Sequence, residues 1–262
     1  MSMCILHVSR TGSHAIQNWL CLQLDDVQVH VDWCPTFHGK VGAGRRFLEY
    51  KGGKLCRDHM PNRNSTPSLR LDAKQVVMVE NFDLNGWSAE KFNGAFDEVW
   101  AVCRDPYNWL ASSVRRLGKT EGRYLAEGRP QKRRDEEGFT KWYGTTMGRC
   151  DMWVQAMRHV MGEENLIGQL VGALNYNRWC VDKEYRRDLA YRLGVSEFTD
   201  MGFDMVPPHG GGSSWTGKNK LKGDNLTLNR FRQYVDNEKY RAFVSDEMVR
   251  IGKEFFGMER PW

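Results

Sequence analysis

The sequence predicts an α/β fold, a central parallel β-sheet flanked by helices, in a single domain over residues 1–262. Three observations predict it. Short apolar runs alternate with segments of helical period, as in strand–helix–strand units. Glycine or proline stands where strands hand over to helices. The composition, 40% hydrophobic and 12% aromatic over 262 residues, supplies one sizeable core, while 27% charged residues suit a hydrated surface.

The elements follow in order. Ile5–Ser9 reads as a short buried strand. Ser13–Leu24 sets Ala15, Ile16, Trp19, Leu20 and Gln23 at helical spacing. Val27–Val31 alternates as a second strand. Residues 33–74, rich in Gly, Pro, Asn and Arg, show no legible order. Gln75–Val79 is a third strand running into Glu80, and Glu98–Cys103 is a fourth. Pro106 then opens a helix. Residues 118–138 carry the basic run Arg129–Arg134 and read as a solvated loop. Residues 139–160 read as a helix, 165–175 as containing a strand, and Asp182–Leu193 as a helix. A loop over 206–217 leads to closing amphipathic helices. No repeat or linker divides the chain.

Charge and cysteine usage narrow the function. Lys and Arg number 38 against 33 Asp and Glu, a net +5. So mild an excess suits a small anionic ligand and argues against a nucleic-acid track. No apolar run approaches the ~20 residues that span a bilayer. The N-terminus lacks a basic n-region and a cleavage signal, so a cytoplasmic location without membrane partners is expected. Seven scattered cysteines read as reduced thiols. Cys34 with His38, and Cys56 with His59, have spacings zinc accepts, but the pairs are irregular. They read as packing residues, and no metal is expected.

Two segments carry chemistry. In the first, Arg10-Thr11-Gly12-Ser13-His14 joins a buried strand to a helix. A glycine turn there aims backbone N–H groups and the positive helix end at one point, which favours phosphate or sulfate. Arg10 adds charge; Thr11, Ser13 and His14 add donors. The Walker pattern, with its second glycine and lysine, is absent. In the second, Arg104-Asp105-Pro106 ends a strand and Ser112 follows about two turns into the helix. An arginine at the carboxyl edge of a parallel sheet grips phosphate oxygens bidentately, and Ser112 adds a hydrogen bond. The plainer reading pairs Arg104 with Asp97 or Asp105 as a surface salt bridge.

Together the two segments resemble the sulfotransferase family, which uses 3′-phosphoadenosine 5′-phosphosulfate (PAPS). Arg10-Thr-Gly-Ser13 is similar to the family's 5′-phosphosulfate loop. Arg104-Asp-Pro106 with a serine eight residues after the arginine is similar to its 3′-phosphate motif. A third patch, Gly217-Lys-Asn-Lys-Leu-Lys-Gly-Asp224, resembles the basic loop that closes the family's nucleotide site, although the usual Arg-Lys-Gly triplet is missing. Lys218, Lys220 and Lys222 stand in for it, and Asn237–Tyr240 resembles the helix that follows. The resemblance implies a P-loop NTPase-like sulfotransferase architecture. It also implies PAPS as cofactor and transfer of its sulfuryl group to a hydroxyl or amine.

Such a transfer asks for a general base. Glu80 ends the strand before that of Arg104, where family members project theirs, and is preferred. His59, in Arg57-Asp-His-Met-Pro61, is similar to a histidine motif of cytosolic members but has no legible strand before it. His14 is a third candidate. The acceptor, a small molecule or glycan, is not named by any motif. Trp33, Phe37, Tyr107, Trp142 and Tyr143 either line its pocket or pack. Two other functions remain open: a nucleotide- or anion-binding protein of the same fold without turnover, and a P-loop nucleotide kinase. The leading reading requires Arg10 and Arg104 to converge and the Gly12 turn not to be sealed by packing.

Overall fold

The computed structural model describes residues 2–8, 10–31, 46–59, 74–80, 96–121, 133–165, 167–168, 170–203, 205 and 228–262. Its centre is a sheet whose described strands number seven. These are β1 (Ser2–His7), β2 (Asp26–Val31), β3 (Arg46–Lys51), β4 (Lys54–His59), β5 (Lys74–Glu80), β6 (Glu98–Cys103) and β7 (Gly172–Asn175), in the order β4-β3-β2-β5-β1-β6-β7. β2, β5, β1, β6 and β7 run parallel. Such strands are covered on both faces and so read as continuous apolar runs. Cys4, Ile5 and Leu6 in β1, and Val76 to Val79 in β5, are buried accordingly.

The sheet is mixed, which corrects the expectation of an all-parallel one. β3 pairs antiparallel with both β2 and β4. Gly52 and Gly53, both at positive φ (51° and 67°), make the two-residue turn between β3 and β4. This is the Gly-Gly hairpin connection that fits strand twist, and it falls inside the stretch that showed no order by sequence.

Helices cover both faces. On one, α1 (Ser13–Gln23) packs Ile16, Trp19 and Leu20 against Met3, Ile5, Val29, Val76 and Met78. After β7 come α4 (Tyr176–Val181) and α5 (Lys183–Arg192), which add Tyr176, Trp179 and Leu189 to the same cluster. On the other face lie α2 (Pro106–Glu121) and α3 (Arg133–Val160). Beside them pack a 3-10 turn (Arg230–Gln233), α6 (Glu238–Ala242) and α7 (Asp246–Phe256). Their core includes Tyr107, Trp109, Trp153, Phe231, Tyr240 and Ile251. The loop expected over 118–138 is corrected at both ends, since α2 runs to Glu121 and α3 starts at Arg133; 122–132 lie outside the described residues. No helix among the described residues is long and apolar enough to cross a membrane.

Strand order positions the site. From β1 the chain leaves through α1 to β2 on one side of the sheet. From the adjacent β6 it leaves through α2 and α3 to β7 on the other side. Where neighbouring connections diverge, a crevice opens at the carboxyl ends of the strands, and open α/β sheets bind ligands there.

Candidate functional site

The two segments singled out by sequence leave these two strands. Beyond β1, Thr11 is bound back to Val8, through its amide (3.3 Å) and its hydroxyl (3.0 Å). Gly12 follows in the left-handed region (φ 90°) and serves as the N-cap of α1, with no side-chain cap and no acidic residue in the first turn. Left-handed backbone is cheap only for glycine, and space demands glycine as well. A Cβ on Gly12 would fall 2.2 Å from Cε2 of Tyr176. Tyr176 therefore closes one side of the turn, while Arg10, Gly12 and His14 stay partly exposed.

Beyond β6, helix-start chemistry fixes Arg104. Asp105 accepts the Asn108 amide at 2.8 Å, an N-cap bond, and Pro106 takes the first helical position. The Arg104 side chain is turned toward the turn after β1 and is only 3% exposed. Its Nη1 donates to the Arg10 carbonyl (3.1 Å) and to the Ser112 hydroxyl (3.3 Å). Its guanidinium carbon lies 5.0 Å from the centre of the Tyr176 ring. The two segments, 94 residues apart, do converge.

The surface salt bridge considered for Arg104 is not what forms. Asp97 is engaged by the Ser2 amide (2.6 Å). Asp105 is held by Asn108 and by Asn177 Nδ2 (2.9 Å). Among the described residues no carboxylate pairs with Arg104, and its buried Nε has no hydrogen-bond partner. A buried cation without a counter-ion is unfavourable unless an anion can approach.

A second guanidinium reaches the same serine. Arg230, 9% exposed, donates from Nη1 to Ser112 Oγ at 3.3 Å. Ser112 in turn donates to the Asn108 carbonyl (2.8 Å). A hydroxyl has one proton and two acceptor positions. Ser112 thus spends its proton on the helix and accepts from both arginines. It aligns the cations and, so arranged, does not itself donate to a ligand as the sequence led one to expect. Sequence reasoning missed Arg230 because it is joined to Ser112 only by tertiary contact, 118 residues away.

The field of these cations is felt nearby. Burial pushes the Cys180 thiol up to about 11, while Arg104 and Arg230 pull it back. Burial likewise raises the Tyr176 phenol, again opposed by the two arginines. Burial sends Cys103, at the end of β6, up to about 12. These thiols stay protonated, and none is a ready nucleophile.

No family model and no curated protein matches this chain. The site is therefore judged by its own residues.

The candidate bases fall at different distances. Glu80 ends β5 and pairs in register with His7 of β1, so its backbone stands at the carboxyl edge one strand from the Gly12 turn. His59 ends β4, a strand the sequence did not reveal, at the sheet margin. Four strand spacings of ~4.8 Å separate it from β1, about 19 Å, so the fold does not bring it to the site. His14 packs its ring edge-on to that of His7, centroids 5.9 Å apart. Lys218, Lys220 and Lys222 lie outside the described residues, as do Trp33 and Phe37. Trp142 and Tyr143 fall within α3. Tyr107 is fully buried against Phe231 and Trp262 and is core.

Proposed function

We propose that this chain is a sulfotransferase that takes the sulfuryl group from PAPS and passes it to a hydroxyl or amine of a small molecule or glycan. The observation that carries the reading is the Arg104 guanidinium. Among the described residues it is buried without a carboxylate, and it joins the Arg10 carbonyl of one motif to Ser112 of the other. A doubly phosphorylated nucleotide fits such a place, because its two anionic ends need cations at both strand ends. The order of the parallel strands, with β1 between β5 and β6 and the turn directly after β1, also suits a P-loop-like sulfotransferase architecture.

Each residue then has a task. When bound, PAPS supplies the sulfuryl group and a bisphosphate leaving group. The α1 N-terminus and Arg10 would hold the 5′ end and stabilise negative charge there. Arg104 and Arg230 hold the 3′-phosphate, with Ser112 fixing the fork of each. Glu80 accepts the proton of the acceptor hydroxyl. The protein does little covalent work, since transfer of this kind is mostly alignment and charge stabilisation.

Thermal shift tests the reading first. Adenosine 3′,5′-bisphosphate at 100 times its Kd should stabilise the fold by about 2.7 kcal/mol, and ATP with magnesium should not. The reverse preference would favour a nucleotide kinase and end the proposal. Transfer of labelled sulfate then separates an enzyme from a binder without turnover. Arg104 leaves the second of these standing, because it also fastens the turn to α2. Glu80→Gln should retain bisphosphate affinity and lower the transfer rate at least ~100-fold; an unchanged rate removes Glu80 as the base.

A further inference from the structure

Asn108, fully buried in the first turn of α2, takes no direct part in the proposed reaction, yet its side chain is engaged at both ends. Nδ2 donates to both oxygens of Asp105 (3.1 and 3.0 Å) and to the Leu228 carbonyl (2.6 Å). Oδ1 accepts the Arg230 amide at 2.8 Å. Its backbone carbonyl receives the Ser112 proton. The side-chain amide therefore ties Leu228 and Arg230 to α2, while the backbone carbonyl of the same residue holds the serine on which both guanidiniums meet.

The geometry has a direct consequence for binding. An arginine loses much rotamer and backbone freedom when it is ordered by a ligand. Asn108 fixes the Arg230 backbone beforehand, one helical turn from Ser112, so less of that cost falls on binding. Asp105 sets the amide's orientation, because its carboxylate accepts only and so faces Nδ2, leaving Oδ1 toward the Arg230 amide.

We infer that Asn108 is the positioning residue for Arg230, and that the pair sets this site's preference for a nucleotide bearing a second, 3′-phosphate. This rests on the nucleotide reading above. Asn108 itself touches no ligand.

Calorimetric affinities for adenosine 3′,5′-bisphosphate and for AMP provide the test. Wild type should prefer the bisphosphate. Arg230→Ala should weaken the bisphosphate at least ~10-fold and leave AMP within about twofold. Asn108→Ala should do the same, and the double variant should be no weaker than Arg230→Ala alone, since the two act as one unit. Asn108→Ser retains an acceptor for the Arg230 amide and should restore part of the preference; it also supplies the readout if Asn108→Ala does not fold. Equal losses for both ligands, an unchanged preference, or additive losses in the double variant would each overturn the inference. A wild type that binds neither nucleotide, or both alike, fails the underlying reading of the site instead.

Discussion

Arg104 is held at Nη1 and, among the described residues, left without a partner at Nε, inside a region where burial is the largest cause raising a thiol and a phenol. Both bonds leave one nitrogen, Nη1, at the end of a rigid guanidinium; a lysine keeps the charge but loses that placement and the two further nitrogens that can meet phosphate oxygens. Arg104→Lys should therefore loosen the turn as well as the ligand. We expect bisphosphate affinity to fall by about 1.5–3 kcal/mol, the range for charge-assisted hydrogen bonds. Retained affinity in calorimetry would show that the fork is only a staple. The residue-level signal in the sequence was good here. Asp105 and Pro106 mark a helix start by capping chemistry, so the arginine before them has to stand at the strand end. Arg230 carried no such mark, because its neighbours do not set its place.

Element junctions account for the next level. The turn between β1 and α1 combines a left-handed Gly12 with a tyrosine ring that already occupies the space of a Cβ. Gly12→Ala meets both penalties. Backbone strain alone costs about 1–3 kcal/mol, and displacing Tyr176 from the core adds to it. Urea denaturation should show a loss of at least that size, together with weaker nucleotide binding, as Tyr176 also lies beneath Arg104. A variant as stable as wild type would mean that the turn is not built as described. The Gly52-Gly53 hairpin offers a contrast. Its signal was present, two glycines between Phe47-Leu-Glu-Tyr50 and Lys54-Leu55, yet the surrounding Gly- and Arg-rich stretch hid it. With it went the strand that leads to His59.

For the whole molecule, stability should depend on the neutral form of a histidine in the sheet. His30 lies buried on β2, donates from Nε2 to Gln75 (3.3 Å) and packs its ring on Phe47 at 5.3 Å. Burial lowers its pKa below the ordinary 6.5, and the Gln75 bond only partly opposes this. The unfolded chain then binds the proton more readily than the folded one, so stability rises with pH. It should be full above about 6.5 and decline as pH falls from there toward the folded value. His30→Gln should flatten that decline between pH 7.5 and 5.5 in urea midpoints. An equally steep decline in the variant would assign it to other groups.

The sequence alone determined the succession of buried strands and helices, and the two strand ends that carry Arg10 and Arg104. Those features depend on local period, glycine backbone freedom and proline at a helix start, all of which act within a few residues. Strand order, the antiparallel margin and the meeting of Arg230, Asn108 and Tyr176 around Arg104 were decided by tertiary structure. Such neighbours are chosen by burial and hydrogen-bond satisfaction between segments far apart in the chain, and no local pattern records that choice.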